Sequence, residues 1–282
     1  MQKKTDWKWK INAKSRWFEW NLRELLDYRD LIRSFVRRDL LANYHQTVLG
    51  PFWIVMQPLL TTLIYIIIFS RIIKIPTDGI PPVLFYLPGV IIWSYFSDCL
   101  TGTMYTFLNN AETFSKVYFP RLSVPLGSII AHTFRMLIQF ILFIVIYLYY
   151  LYTTDVVQPS FFILLFPFLI LQTALFSFAA GLIISVLTAK YRDLEYALQF
   201  ILRLYLFVTP VIFPMSIVPE KLKIIFWLNP LTSIIETFRI SFYSGMTPPL
   251  TYMIINLLVT LLMLFIGLSL FIRMEKRVVD YI

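Results

Sequence analysis

The segment LRELLDYRDLIRSFVRRDLLANYHQTVL, from Leu22 to Leu49, decides the fold, because a basic amphipathic helix there leads directly into an apolar run of spanning length. At 100° per residue, apolar side chains gather on one face and charged or small polar ones on the other. Arg29 and Asp39 interrupt the apolar face. Such a helix is predicted to lie flat in a membrane interface, with its apolar face in lipid and its arginines toward headgroups and water. The apolar face consists of Leu22, Leu25, Tyr28, Ile32, Phe35, Val36 and Leu40, and the polar face of Arg23, Asp27, Asp30, Ser34, Arg37 and Arg38.

The composition of the whole chain is that of a membrane protein. Of its 282 residues, 59% are hydrophobic and 15% are charged, whereas soluble domains carry about 25% charged residues. The polar surface is too small to cover a water-exposed globule, so the excess apolar surface must face lipid.

Six apolar runs are long enough to cross a bilayer, which takes roughly 20 residues in a helix. The runs are continuous rather than alternating, which indicates helices rather than β-strands. We therefore predict an all-α integral membrane protein with six spans, at about residues 49–70, 84–108, 124–152, 161–188, 194–213 and 250–272. The predicted parts are a polar Trp- and Lys-rich tail (1–21), an amphipathic interface helix (22–48), a transmembrane domain (49–272) and a second tail (273–282).

The basic residues orient the predicted spans. Eleven of the 25 Lys and Arg residues lie in residues 1–48. If that end is cytoplasmic, the inner segments hold 18 of them and the outer loops five, which is a positive-inside pattern with both termini cytoplasmic. The net charge of +9 then reflects topology and contact with anionic lipid. Nucleic-acid binding is the weaker interpretation, because the basic residues are scattered over separate inner loops.

The longest outer connection, residues 214–249, holds two apolar stretches that are too short to span, Leu222–Leu228 and Leu231–Tyr243. Such stretches are often re-entrant or interfacial. The second is preceded by an N-cap candidate with proline at the first helical position, and it carries an acid and a base that can pair three residues apart. These residues are Asn229 with Pro230, and Glu236 with Arg239.

The sequence shows no motif of enzyme chemistry. None of its eight glycines is followed by lysine, so the chain has no P-loop. Cys99, His45 and His132 are too few for a Cys/His metal site. We therefore expect no cofactor in this chain, and any use of ATP must come from another polypeptide.

Charged side chains inside the predicted spans are few. Asp98 is the one acid plainly within a span, and by its depth it can pair with either Arg135 or Arg203. Intramembrane charges are costly and normally face protein or water, so either a structural ion pair or a functional contact accounts for them.

Four motifs follow the predicted spans in register and carry a family resemblance. They are RDLLANYHQTVLGPFW (Arg38–Trp53) followed by QPL (Gln57–Leu59), KVYFPR (Lys116–Arg121), YRD (Tyr191–Asp193), and NPLT (Asn229–Thr232) with Glu236 and Arg239. Together they resemble the permease subunit of ABC-2 type exporters. The branch they are most similar to exports polysaccharides: lipopolysaccharide O-antigen, capsule or wall teichoic acid. The resemblance covers about residues 22–273 and leaves out residues 1–21.

The resemblance implies a homodimer of this subunit joined to two copies of a separate ATPase that binds ATP and Mg²⁺. It places the protein in the bacterial cytoplasmic (inner) membrane, where the two copies enclose a channel for a polysaccharide linked to undecaprenyl diphosphate.

The resemblance also implies roles for particular residues. A short helix over Glu112–Phe119 would dock on the ATPase, although the same segment can be an ordinary inner loop whose aromatics lie at the interface. Two arginines of the amphipathic helix would meet the lipid diphosphate where it enters, or anchor the helix only. The docking residues are Glu112, Phe114, Lys116, Tyr118, Phe119 and Arg121, and the two arginines are Arg37 and Arg38.

Two further sets of residues follow from the same resemblance. Side chains on the first and fifth spans would line the channel, since aromatic rings pack against sugar faces, although lipid contact and helix packing are equally ordinary roles. The two short outer helices would form a gate, or a static cap. The channel set is Phe52, Trp53, Gln199, Arg203, Tyr205 and Phe207, and the gate set is Asn229, Pro230, Glu236 and Arg239.

Two other functions remain open. A drug or small-lipid efflux permease of the same superfamily would share the architecture, but the aromatic-rich helices and the KVYFPR loop favour polysaccharide. An integral-membrane transferase or polymerase for lipid-linked sugars would need clustered acids and bases in its spans or outer loops, and the sequence shows no such cluster.

Overall fold

A computed structural model describes residues 22–42, 49–154, 157–191, 193–243 and 248–275. The predicted tail 1–21, residues 43–48 at the end of the interface helix and in the middle of the Arg38–Trp53 motif, Arg192 and most of the second tail lie outside these residues. The described ranges contain helices and no β-strand. The α-helices are α1 (Leu22–Asp27), α2 (Arg29–Ala42), α3 (Trp53–Tyr65), α4 (Pro82–Met104), α5 (Thr106–Asn109), α6 (Ala111–Lys116), α7 (Ser123–Thr153), α8 (Phe166–Lys190), α9 (Leu194–Phe207), α10 (Glu220–Trp227), α11 (Pro230–Tyr243) and α12 (Leu250–Glu275).

Five helical segments of the described chain are long and apolar enough to cross a membrane. The first joins α3 to flanking 3-10 and π turns, and the fourth joins α8 to a preceding 3-10 turn. They agree to within four residues with five of the six predicted spans. The segments are Gly50–Ile72, Pro82–Met104, Ser123–Thr153, Phe161–Lys190 and Leu250–Met274.

The remaining predicted span, residues 194–213, is the fifth along the chain and is shorter than expected. Its helix α9 has 14 residues and ends at Phe207. At 1.5 Å per residue it is about 21 Å long, less than the roughly 30 Å of a bilayer core. Pro210 disfavours a helical conformation at the residue before it and lacks an N–H for a helical hydrogen bond, which accounts for the early end. The six-span count therefore stays a prediction.

Helix α4 is the centre of the fold. In its most apolar segment 72% of residues are buried, against 17–33% in the other four candidate spans. It packs against α3, α7, α8 and α11. A helix that is apolar all round is expected to be enclosed by others, and α4 is the one that the neighbouring helices enclose.

Small residues let α8 approach its neighbours closely. A Cβ atom on Gly181 would lie 2.5 Å from the Thr103 Cβ atom in α4, and one on Gly267 of α12 would lie 2.8 Å from the Ala179 carbonyl oxygen. Helix contacts in membranes are enriched in small residues because packing, rather than exclusion of water, drives association there. Helix α8 thus packs closely against both α4 and α12.

One side of the amphipathic helix α2 packs against α7, and the other side is exposed. Of the predicted apolar face, Leu25 and Phe35 are each 8% exposed. A Cβ atom on Gly127 of α7 would lie 2.8 Å from the Phe35 Cβ atom, so α2 lies directly on the α7 backbone. The centre of the apolar face was predicted to face lipid and is instead covered by α7. The sequence pattern identified which face is apolar, and tertiary packing determined what covers it.

Candidate functional site

The loop between α4 and α7, residues 105–122, is called the inner loop after its predicted side of the membrane, and it separates exposed side chains from buried ones. Tyr118 is 80% exposed and Val117 60%, whereas Phe114 and Phe119 are 7% and 6% exposed. The short helix predicted over Glu112–Phe119 is α6, which ends at Lys116 because Val117 is extended (φ −135°, ψ 133°). The exposed tip and the buried rings therefore lie on opposite sides of one short segment.

The buried rings connect the loop to distant parts of the chain. Phe119 lies 5.8 Å from Phe35 of α2 and 5.5 Å from Phe114, measured between ring centroids. Phe114 in turn contacts Phe107, whose ring stacks on Phe271 of α12 at 4.7 Å. An unbroken series of aromatic contacts thus joins the amphipathic helix, the inner loop and the C-terminal end of α12.

The predicted docking residues fall into two groups. Glu112 and Lys116 are exposed and 3.5 Å apart, and they accompany Tyr118 on the surface. Phe114 and Phe119 were predicted to make external contacts and are packed inside, and the Arg121 guanidinium lies 5.3 Å from the Phe114 ring centre. The sequence showed that the loop is aromatic, but it carried no sign of which rings point inward.

A polar cavity of about 520 Å³ lies between α2, α4 and α7, beside the start of the inner loop. Arg38 lines this cavity, donates to Asp39 Oδ1 at 3.0 Å and donates to Asn110 Oδ1 at 3.3 Å. Arg37 is exposed and is not among the lining residues. The two arginines that the sequence could not tell apart therefore occupy different environments.

The same cavity brings together the charged groups predicted inside the spans. Asp98 of α4 and Arg135 of α7 both line it. Arg135 also donates to the Asp39 carbonyl oxygen at 3.0 Å. Arg203, the alternative partner for Asp98, is exposed on α9. Of the two predicted partners of Asp98, Arg135 lines the same cavity and Arg203 does not.

Tyr105 connects this cavity to α9. Its hydroxyl donates to Glu195 Oε1 at 2.8 Å and accepts a hydrogen bond from the Gln199 side chain. Burial, and after it the bond to Glu195, raises the pKa of the Tyr105 phenol above its usual value. Neither Tyr105 nor Glu195 was predicted as a site residue. The four-residue spacing of Glu195 and Gln199, which puts both on one helix face, was the available signal.

The predicted channel residues differ in exposure. Phe52, Trp53 and Phe207 are 54%, 45% and 60% exposed. Tyr205 instead turns toward α4, with its ring 5.8 Å from the rings of both Trp93 and Phe96. A side chain that lines a channel between two copies, or contacts a second copy, must be exposed on the single chain. The Tyr205 ring packs against α4 instead.

The turn between α10 and α11 is held by Asn229. Its Oδ1 accepts from the Leu231 backbone N–H at 3.0 Å and from the Tyr205 hydroxyl at 2.5 Å. Its Nδ2 donates to Thr209 Oγ1 at 3.2 Å. The predicted cap is thus present, with Pro230 as the first residue of α11, and it also binds the end of α9.

The predicted pair of Glu236 and Arg239 is present and almost fully enclosed. Their side chains are 12% and 4% exposed and meet at 2.8 Å. Arg239 also donates to the Val211 carbonyl oxygen at 3.1 Å, and its guanidinium carbon lies 3.8 Å from the Phe85 ring centre. Buried charges require this kind of pairing, and here the pairing joins α11 to α4 and to the segment after α9.

Comparison with known proteins agrees with this architecture. The chain is 27% identical to the O-antigen export system permease protein RfbA of Klebsiella pneumoniae over 88% of its own length and 93% of the relative's. It is 27% identical to the protein of the same name from Myxococcus xanthus over 80% and 85% of the two lengths. It is 24% identical to the polysialic acid transport protein KpsM of Escherichia coli over 87% and 93%.

A match to the ABC-2 type transporter family covers residues 30–243, from the amphipathic helix to the end of α11. It includes the inner loop, the polar cavity and the buried ion pair described above, and it confirms the resemblance drawn from the motifs. The chain therefore belongs to the ABC-2 type transporter family, as a membrane transport subunit rather than an enzyme.

Proposed function

We propose that this chain is the channel-forming subunit of an ABC exporter that moves a lipid-linked, O-antigen-like polysaccharide across the bacterial cytoplasmic membrane. The likeness to polysaccharide permeases over at least 80% of this chain and 85% of each relative carries the proposal. The motifs of the inner loop and the outer helices support it. Both termini are cytoplasmic in this proposal, and Leu194–Phe213 supplies the fifth of six spans, with residues after α9 completing the crossing.

Deletion of the gene tests this function. We expect lipid-linked polymer to accumulate on the cytoplasmic side, and the intact gene to restore export. A drug or small-lipid efflux permease would leave polymer export intact and change drug sensitivity or lipid distribution. A transferase or polymerase would stop polymer from forming, so that no complete lipid-linked chain accumulates. Normal export and normal polymer levels in the deletion strain would overturn the proposal.

The exposed tip of the inner loop is the proposed docking surface for the separate ATPase, two copies of which bind ATP and Mg²⁺. Tyr118 and Val117 are exposed on the loop, while the buried rings of Phe114 and Phe119 pack it against the helices. Tyr118→Ala should therefore weaken capture of the ATPase by the intact permease without reducing the amount of folded permease. Tyr149→Ala, which removes a ring that is 65% exposed on α7, is the matched control. Undiminished capture and export by Tyr118→Ala would contradict the docking role.

A homodimer is proposed to enclose the channel. Apolar side chains exposed at helical spacing on α3 and α9 support this, because two copies can cover these stripes and leave a path between them. Phe52, Trp53, Gln199, Arg203 and Phe207 remain the proposed lining residues, whereas Tyr205 is assigned to packing. The exposed apolar residues are Leu60, Leu63 and Ile64 on α3, Ile67 and Ile68 on the π turn that continues it, and Tyr196, Phe200, Ile201, Leu204 and Phe207 on α9.

The outer gate is assigned to α10, with Asn229 and Pro230 as its hinge and Glu236 with Arg239 as its fixed base. A cysteine at Ile225, 59% exposed, can report on this because the native Cys99 is buried. Crosslinking two copies at that position should block export, and reduction should restore it. A cysteine at the buried Ile235 of α11 is the unreactive control. Normal export with the Ile225 crosslink fully formed would exclude a moving gate.

The two arginines proposed to meet the lipid diphosphate are both exposed, and Arg37 is the one that does not line the cavity. Arg38 already donates to Asp39 and Asn110, which suits a role in holding α2 to the loop. Arg37→Gln should reduce export at an unchanged level of membrane insertion if it binds phosphate, since charge-assisted bonds to phosphate are strong. Equal effects of Arg37→Gln and of Arg33→Gln, another exposed arginine on α2, would assign both to anchoring.

A further inference from the structure

The polar cavity extends from the inner loop into the span region. Asn110 and Arg38 lie at the loop, and Arg135 lies 12 residues into α7, which at 1.5 Å per residue is about 18 Å along the helix. Its volume of about 520 Å³ falls within the roughly 300–1,000 Å³ of small-ligand sites. A polar cavity at this depth is costly in a membrane unless water or a polar ligand fills it.

The charges of the lining identify the class of ligand. Asp98 and Asp39 are negative, Arg38 and Arg135 are positive, and all four line the cavity. Two acids and two bases cancel in formal charge, so these four side chains give the cavity no net attraction for an anion or for a cation. An ionised carboxylate only accepts hydrogen bonds and a guanidinium only donates them, whereas a hydroxyl does both. A neutral ligand with many hydroxyls therefore satisfies both kinds of group at once.

The cavity also lies next to a helix that is assigned to the channel. Tyr105 lines it and is hydrogen-bonded to Glu195 and Gln199 of α9, one of the two helices assigned to the channel. We propose that this cavity binds one or two neutral sugar residues of the polymer through their hydroxyls, with Asp98 accepting and Arg135 donating hydrogen bonds. The inference rests on the proposed export function, and it assigns sugar rather than the lipid diphosphate to this place.

Binding to the full chain, assembled with its ATPase in nanodiscs free of sugar detergents, tests the inference. The probes are methyl α-D-glucopyranoside and methyl α-D-mannopyranoside, followed by saturation-transfer NMR, and inorganic pyrophosphate, followed by phosphorus NMR. Asp98→Asn should weaken sugar binding roughly tenfold, because it replaces a charged acceptor. The same change should strengthen pyrophosphate binding if the cavity holds phosphate instead. Asp27→Asn, on the exposed surface of α1, is the matched control.

A second variant alters space without altering charge. A Cβ atom on Gly102 would lie 2.3 Å from Ser128 Oγ and 3.1 Å from His132 Nε2, and all three residues line the cavity. Gly102→Ala should therefore displace these side chains into the cavity and weaken sugar binding severalfold. It remains informative if Asp98→Asn does not fold.

The outcomes separate this inference from the export function. Sugar binding that falls in both variants and is unchanged in the control supports the proposal. Absence of sugar binding, or pyrophosphate binding that strengthens in Asp98→Asn, overturns it. Accumulation of lipid-linked polymer in the deletion strain is measured independently, so the export function can stand when the sugar site fails.

Discussion

The two short helices of the outer connection, α10 and α11, follow each other in sequence and lie in opposite environments. Every residue of α11 except Glu236 and Ile240 is buried, whereas α10 has no buried residue. Each carries an acid–base pair at three-residue spacing. Glu236 and Arg239 are enclosed, while the Glu220 side chain that meets Lys223 at 2.6 Å is 86% exposed.

The difference shows that equal sequence patterns can have unequal energetic consequences. An exposed pair gains little because water screens it, so α10 is free of strong charge-based attachment. A buried pair must keep both partners, because removing one leaves an uncompensated charge. Any outer movement should therefore involve α10 swinging on the Asn229 turn, with α11 staying fixed to α4.

The largest effect is expected from Arg239→Met. It leaves the Glu236 carboxylate buried without its partner, which should destabilise the fold by about 3–5 kcal/mol. The yield of monodisperse protein and its thermal unfolding temperature measure this. The double variant Glu236→Gln/Arg239→Met should recover much of the loss, because it removes the unpaired charge. A double variant as damaged as the single one would show that contacts of Arg239 with Val211 and Phe85 matter more than its charge.

A smaller effect is expected from Asn229→Ala. The change removes the cap of α11 together with the bonds to Tyr205 and Thr209, and loss of an N-cap alone costs about 1 kcal/mol. Thermal unfolding should shift less than for Arg239→Met, while export should fall because α9 and the outer helices are no longer coupled. Asn229→Asp keeps an acceptor for the cap and serves as the matched control. An unchanged export rate in Asn229→Ala would remove the turn from the mechanism.

The attachment of α10 to α12 is weaker still. Asn256 donates to the Trp227 carbonyl oxygen at 2.9 Å, and the Trp227 ring stacks on Tyr252 at 4.9 Å. Hydrogen bonds between helices in membranes average about 0.6 kcal/mol, so Asn256→Ala should lower stability by about that amount. Hydrogen exchange in α10 should rise while exchange in α11 stays unchanged. Equal increases in both helices would mean that they move as one unit.

The smallest effect is expected from Ile225→Ser on the exposed side of α10. Surface changes away from special features usually fall within about 0.5 kcal/mol, so unfolding temperature should hardly move. Ile235→Ser in α11, where the side chain is 1% exposed, is the matched comparison and should be severely destabilising. Similar losses from the two substitutions would contradict the contrast between the helices.

Much of the fold was predictable because its causes are local. Continuous apolar runs gave five spans to within four residues, and the Asn229–Pro230 pattern correctly gave the start of α11. The end of α9 was predicted six residues too late. The apolar run continues through Val208–Phe213, but Pro210 disfavours helix at the residue before it, so α9 ends before the run does. The helical periodicity correctly identified the apolar face of α2, but it could not show that α7 covers this face.

The site was predictable only in part, because the residue type does not determine whether a side chain is exposed or buried. Tyr118 and Phe119 are adjacent aromatic residues in one motif, yet one is 80% exposed and the other 6%. Arg37 and Arg38 are likewise adjacent, and only Arg38 reaches the cavity. Tyr105 and Glu195 lie 90 residues apart, so no local sequence pattern predicts their contact.

The sequence by itself determined that the chain is a helical membrane protein of the ABC-2 type transporter family, since apolar run length, positive charge placement and short motifs are local properties. The tertiary structure alone decided which aromatic residues anchor the inner loop, which ion pair is buried, and which charges share a cavity. These depend on helices meeting across long sequence separations, where close packing and the cost of isolated buried charge select one arrangement.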